Sequence, residues 1–220
     1  MQRLVAVTTV VALALGVRGA DAQPLERWQI GGGIRLLGGV GLGRVDAVQT
    51  ASAGPPVTLF TTSSELGGGA GWQVFVGRRV ADRLHAEAGL SWQRVPLTTL
   101  VMADAERGAP TRASERIMHI QLEGGIRWSP ARLMFTRRTS AFGVAGGGYL
   151  RQLHAGRTLI ESGRSFYAGG GVLRSMWTGT DGKRIQARLE GRMVVVSGGV
   201  AFDRSPRATP AVAVAAQMEF

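Results

Sequence analysis

From Trp28 onward, stretches of 13 or 14 residues alternate apolar and polar positions with a period of two, separated by segments rich in Gly, Pro, Thr, Asp and Arg. A period of two predicts β-strands, whose successive side chains point to opposite faces. The clearest stretch is 183–196, with Ile185, Ala187, Leu189, Gly191, Met193 and Val195 on one face and Arg184, Gln186, Arg188, Glu190 and Arg192 on the other. In 115–128, Met118, Ile120, Leu122, Ile126 and Trp128 oppose His119, Gln121, Glu123 and Arg127. In 83–96, Leu84, Ala86, Ala88, Leu90 and Trp92 oppose His85, Glu87, Ser91 and Gln93. The remaining strands are predicted over 28–41, 64–77, 139–151, 164–177 and 208–220, making eight.

Between these spans the first, third, fifth and seventh connections hold 22, 18, 12 and 11 residues, and the second, fourth and sixth hold 5, 10 and 5. Long and short connections therefore alternate. An even number of antiparallel strands with every long connection at one end predicts an all-β, eight-stranded, up-and-down transmembrane barrel. Aromatic residues point the same way: Trp28, Trp128, Trp177 and Phe220 fall on apolar faces at the short-turn end, and Trp92 and Tyr167 toward the other end. Those six are the expected membrane-interface aromatics.

Before Trp28 the pattern changes. Met1-Gln2-Arg3, an apolar run over 4–17 and Ala20-Asp21-Ala22 read as a secretory signal peptide over 1–22. The run is shorter than the roughly 20 residues a membrane-spanning helix needs. One barrel domain over 23–220 is expected to follow. There is no cysteine, hence no disulfide and no thiolate metal site.

Glycine reaches 33 of 220 residues without a Gly-X-Y period, which excludes collagen, and 45 % hydrophobic residues with a mean hydropathy of +0.07 exclude disorder. Lys and Arg number 26 against 15 Asp and Glu, a net +11, and Lys183 is the lone lysine. Nucleic-acid binding would need these cations clustered with stacking aromatics. They are instead spread over polar strand faces and turns, Arg78, Arg79, Arg137 and Arg138 among the turn residues.

The polar faces predict a lumen network of Arg35, Glu87, Glu123, Arg127, Arg174, Arg184, Arg188, Glu190, Arg192 and Glu219, with Arg151 on the same side. Eight strands enclose a bore that side chains just fill, so the expected role is a plug of ion pairs, with inward glycines making room for arginines. An anion path lined by the charge excess is the alternative. No G-x-G-x-x-G, P-loop, H-E-x-x-H or G-x-S-x-G pattern occurs, and His85 with Glu87 and His119 with Glu123 read as interior packing. No catalytic, cofactor-binding or metal residue is assigned.

The signal peptide, the eight alternating strands, the 77–84 turn, the Gly146-Gly147-Gly148-Tyr149 and Gly169-Gly170-Gly171-Val172 segments and terminal Phe220 together resemble the small OmpA-like outer-membrane β-barrel proteins. That resemblance implies residence in the bacterial outer membrane, contact with its lipid and lipopolysaccharide, and recognition of the C-terminal aromatic by the assembly machinery. A monomer with no cofactor and no nucleic-acid partner is expected. So is a non-enzymatic structural, adhesive or surface-interaction role through extracellular loops at about 43–63, 97–114, 152–163 and 197–207. A narrow pore for small solutes is the alternative. A lipid A-modifying enzyme using His154, Glu161, Ser162 and Ser165 is a further one, although their spacing does not match a His-x-Ser deacylase pattern.

Overall fold

Alternating β-branched, aromatic and glycine residues cannot sort into one helical face, and the chain resolves them as strands. The computed structural model describes residues 27–50, 55–102, 109–154, 159–200 and 205–220. Its strands are β1 (Trp28–Leu37), β2 (Val40–Gln49), β3 (Val57–Leu66), β4 (Gly69–Ala81), β5 (Leu84–Met102), β6 (Thr111–Trp128), β7 (Met134–Thr136), β8 (Thr139–Leu153), β9 (Ile160–Thr178), β10 (Arg184–Gly198) and β11 (Arg207–Glu219). The predicted signal peptide lies outside the described residues.

Eight strands close a ring. β1 pairs β4, then β5, β6, β8, β9, β10 and β11 follow in turn, and β11 pairs β1, all antiparallel. The seam is sealed at its foot by reciprocal bonds of 2.9 Å between Trp28 and Phe220. Following the register from Leu37 through Ala211, Arg192, Gly169, Val144, Arg127, His85 and Arg79 returns the path to β1 at Arg27, ten residues lower. A shear of ten over eight strands, with rises of 3.3 Å and spacings of 4.8 Å, tilts the strands by roughly 40°. Ten residues then climb about 25 Å, the height of an outer-membrane apolar band.

The faces are those of a bilayer-spanning barrel, polar inside and apolar outside. Arg35, Gln121 and Glu190 are 1–2 % exposed, whereas Trp72, Phe166 and Val214 are 57–60 % exposed. Ile30, Ile34, Val74, Leu90, Leu122, Ile126, Leu189, Val212 and Met218 complete the outer band. Water would not tolerate so continuous an apolar exterior, and in lipid only a closed ring pairs every strand edge.

Two features depart from the sequence reading. Residues 43–63, expected as a loop, are mostly strand: β1 continues as β2 beyond Gly38-Gly39, and β3 leads into β4 through Gly67-Gly68. The glycine pairs bend the chain without ending it. Gly38 N–H still bonds Pro210 O at 2.8 Å and Gly67 N–H bonds Pro96 O at 2.7 Å. β3 then pairs the upper part of β5 (Leu66 with Leu97 through Thr61 with Met102), which in turn pairs β6 from Thr111. Much of the span read as the 97–114 loop is therefore strand too, and β2, β3, β5 and β6 extend as a sheet above the ring. Secondly, β9 carries a bulge at Met176, since Ile185 opposes Trp177 while Gln186 opposes Ser175.

Candidate functional site: the lumen network and the aromatic belt

Strand parity delivers the lumen charges. β1 contributes Arg35, β5 Glu87, β6 Glu123 and Arg127, and β10 Arg188, Glu190 and Arg192, each buried or nearly so. They form one connected chain. Arg35 donates to Glu123 at 2.8 Å and to Ser91 Oγ at 3.0 Å. Arg192 bridges Glu123 and Glu190, both at 2.6 Å. Arg188 links Glu190 to Glu87, reaching the two Glu87 oxygens at 3.0 and 2.9 Å. Arg127 Nε donates to Glu87 at 2.6 Å and its Nη2 to Gln29 Oε1 at 2.6 Å. Gln29 also donates to Glu87 at 2.8 Å, and Gln217 bonds Gln186 at 2.8 Å below it. Four arginines thus meet three carboxylates, the fork of each guanidinium serving more than one acceptor.

Aromatic rings hold the arginines in place. Arg188 lies over Phe75 and Phe142, 4.7 and 4.9 Å from the ring centres, and Arg192 lies 4.6 Å from that of Tyr167. Each ring in turn occupies a notch left by glycine. A Cβ on Gly31 would strike Phe75, one on Gly171 would strike Phe142, and one on Gly125 or Gly146 would strike the Tyr167 hydroxyl. The inward glycines therefore make room for aromatic rings, and the rings seat the arginines.

Four sequence assignments need correction. Tyr167 is inward and 7 % exposed, so it is no interface aromatic, and Arg174 and Arg151 are exposed on the outer face. In β9 the apolar Tyr167, Leu173 and Trp177 read as one lipid-facing set, yet the Met176 bulge flips the frame between Leu173 and Trp177. Tyr167 and Leu173 face the lumen, while Arg174 joins Phe166 outside. In β8 the consecutive glycines gave no parity, and Arg151 shares the outer face with Tyr149. Arg184 keeps its inward parity but is exposed at the end where Trp28 meets Phe220, lining an open depression with Arg83, Arg137 and Arg138. Glu219 sits at the same rim, 3.5 Å from Arg27.

Trp92, Trp128, Trp177 and Phe220 are exposed on the outer face, and Trp28 is half-buried with Arg78 5.5 Å above its ring. The sequence reading left Trp72, Tyr149 and Phe166 out of the belt. Correcting the register for shear brings Trp72, Trp92, Tyr149 and Phe166 to within about 5 Å of one height, roughly 21 Å above the lower ring of Trp28, Trp128, Trp177 and Phe220. Tyr149 and Phe166 flank the glycine runs, where alternation carries no signal.

Above the charged cluster the lumen carries further buried polar side chains. Gln121 donates to Ser165 Oγ at 2.7 Å, with buried Gln93 and His119 alongside. Leu42, Leu66, Val95, Leu97 and Ile117 then form an apolar cap, Val40 and Val200 packing against it. The cavity beside Glu87, Ser91, Glu123 and Arg192 holds about 30 Å³, room for one water molecule. His154, at the loop-end rim, bonds Glu115 at 2.6 Å, whereas Ser162 bonds Tyr149 at 2.6 Å on the opposite face and Ser165 is buried. Glu161 lies 3.9 Å from His154, but the two serines do not converge on that histidine.

No protein-family model matches this sequence, and neither does any curated protein. Among solved structures it is similar to the outer-membrane protein OprG from Pseudomonas aeruginosa, at 10 % identity over 89 % of this chain and 96 % of that one, with a TM-score of 0.48. Ail, the attachment invasion locus protein of Yersinia pestis, solved with the heparin analogue sucrose octasulfate, matches at 9 % identity over 89 % and 99 %, with a TM-score of 0.45. The outer-membrane protease OmpT from Escherichia coli matches at 11 % identity over 92 % and 99 %, with a TM-score of 0.36.

Proposed function

We propose that this protein is a non-enzymatic, monomeric barrel of the bacterial outer membrane, of the OmpA-like kind, with a closed lumen and a surface-interaction role at its loop end. One observation carries the reading. The arginine–glutamate chain crosses the bore with the Leu42–Leu66–Val95–Leu97–Ile117 cluster above it, while the sheet of β2, β3, β5 and β6 continues past the membrane belt. A solute would have to break both layers, so transport gives way to what the outer surface offers. All eight edges of the ring close within one chain, so no second copy is needed to satisfy them. The contact surface is then the β2–β3 hairpin, which exposes Val45, Val48, Val57 and Phe60, together with the connections beside it.

Three measurements test this. The protein should fractionate with outer membranes and shift in mobility on boiling before SDS electrophoresis, and recovery from the soluble periplasm would refute the localisation. In planar bilayers it should give no steady current, and porin-like conductance would refute the closed lumen. Replacing residues 45–60 with a short turn should leave the heat-modifiable form intact but abolish aggregation or surface attachment of expressing cells. Equal attachment with and without the hairpin would refute its role.

A further inference from the structure

The lumen arginines are matched by carboxylates, and a second set on the outer face is not. Arg94 on β5, Arg116 on β6, Arg151 on β8 and Arg164 on β9 are all exposed and outward, on four strands adjacent in the ring. None makes an ion pair with a described residue. Glu65 is the outward carboxylate nearest in register, opposite Thr98 and four residues along β5 from Arg94.

Register fixes how these four lie together. Pro96 opposes Arg116 and Met118 opposes Arg94, making Arg94 and Arg116 diagonal neighbours. Tyr149 opposes Arg164 and Ser162 opposes Arg151, making those two diagonal neighbours as well. Such diagonals span about 7–8 Å, within reach of long side chains. Corrected for shear, Arg94, Arg151 and Arg164 fall within about 2 Å of one height, about 6 Å above the upper aromatic ring, with Arg116 roughly 8 Å higher still. The Tyr149–Ser162 hydroxyl pair, 2.6 Å apart, lies between Arg151 and Arg164. In a bilayer this is the headgroup level, directly over the ring of Trp72, Trp92, Tyr149 and Phe166.

We infer that Arg94, Arg116, Arg151 and Arg164 form a binding site for a multiply phosphorylated lipid headgroup in the leaflet at the loop end. The inference rests on the proposed outer-membrane placement, and it deepens that reading by assigning a ligand class to named residues. Guanidinium forks grip phosphate oxygens bidentately, and the two hydroxyls supply neutral donors beside them. The acyl chains would descend over the aromatic ring and the apolar band below it. One face of the barrel is thereby committed to the phosphorylated lipid, while the lumen takes no part.

The test uses the purified full-length barrel in neutral detergent, so its outcome is independent of fractionation, conductance or attachment. Bis-phosphorylated lipid A, its dephosphorylated form and phosphatidylglycerol are offered in turn, and bound lipid is read by native mass spectrometry. Lipid A should bind, and Arg151→Gln with Arg164→Gln together should weaken it about thirtyfold, from the usual effect of a cation near an anionic surface. Arg174→Gln, an outward arginine at the opposite end, should leave binding unchanged, and the double variant should keep the heat-modifiable mobility of the folded barrel, so that its weaker binding is not a loss of fold. Equal binding by the double variant, equal binding of dephosphorylated lipid A or phosphatidylglycerol, or displacement by equimolar inorganic phosphate would each overturn the proposal.

Discussion

Glu87 is the most heavily used acceptor in the lumen, and replacing it with glutamine changes its charge while keeping its shape. In the native barrel it accepts from Arg127 Nε at 2.6 Å, from Arg188 at 3.0 and 2.9 Å and from Gln29 at 2.8 Å, and its side chain is 9 % exposed. Glu87→Gln leaves Arg127 without its carboxylate partner, and Arg188 keeps only Glu190. The chain then holds four guanidinium groups against two carboxylates. The new amide also turns a donor toward donors. Removing one member of a buried pair costs about 3–5 kcal/mol. Glu219→Gln, at the rim beside half-exposed Arg27, should cost under about 1 kcal/mol, as surface pairs do. With a urea slope near 2 kcal/mol per molar, Glu87→Gln should lower the unfolding midpoint by about 1.5–2.5 M. Tryptophan fluorescence of the refolded barrel reads that midpoint. A second variant, Glu87→Gln with Arg127→Met, removes the stranded charge and should recover part of the loss. If Glu87→Gln unfolds with the wild type, or the double variant is worse than the single, the lumen is wetter and less coupled than the geometry requires.

Other expectations follow from the same geometry. Gly146→Val places a branched side chain where the Tyr167 hydroxyl stands, and should destabilise by at least about 1–3 kcal/mol in the same urea assay, more than Gly124→Val, whose outward Cβ meets nothing. Arg174→Leu should be nearly neutral and Arg127→Leu should cost about 3–5 kcal/mol, and equal costs would contradict the parity of β9. Deleting Phe220 removes both seam bonds to Trp28 and an outward ring, and should lower the heat-modifiable fraction in outer membranes far more than deleting 54–56. Equal assembly of the two deletions would refute the seam.

Most of the architecture was legible because the inward charges declare themselves. In β10, Arg188, Glu190 and Arg192 alternate with Leu189, Gly191 and Met193, and lipid on one side admits one reading of that pattern. β5 and β6 announce their faces through Glu87, Glu123 and Arg127 in the same way. Legibility failed where side chains are missing or the frame shifts. β8 and β9 carry Gly146-Gly147-Gly148 and Gly169-Gly170-Gly171, which show no faces, and the bulge at Met176 made Trp177 a misleading guide to Tyr167. The β2–β3 extension was missed because Gly43, Asp46, Pro55, Pro56 and the threonines between the predicted strands read as a loop, while here the chain bends at Gly38-Gly39 and goes on pairing. The polar character of the lumen was readable from parity, but its wiring was not. Which arginine meets which glutamate depends on shear, which brings residues from β1, β5, β6 and β10 to one height.

Those two kinds of strand also show what the buried charges contribute to strand alignment. A one-residue slip of β10 would turn Arg188, Glu190 and Arg192 into hydrocarbon, where charged side chains cost up to about 2–4 kcal/mol each, arginines the most. The penalty approaches 10 kcal/mol, comparable with the whole stability of an ordinary domain. β10 therefore has one permissible facing without reference to its neighbours, and among slips of two residues the ion pairs of Arg188 with Glu87 and of Arg192 with Glu123 select the register. Below the rim, where Glu161 lies 3.9 Å from His154, β9 has no inward charge of its own to hold it in place. Its register is fixed sterically, by Tyr167 entering the Gly125–Gly146 notch and by the bulge that returns Trp177 to the outer belt. The Tyr167 ring then receives Arg192 from β10, so the strand aligned by packing is pinned to the strand aligned by charge.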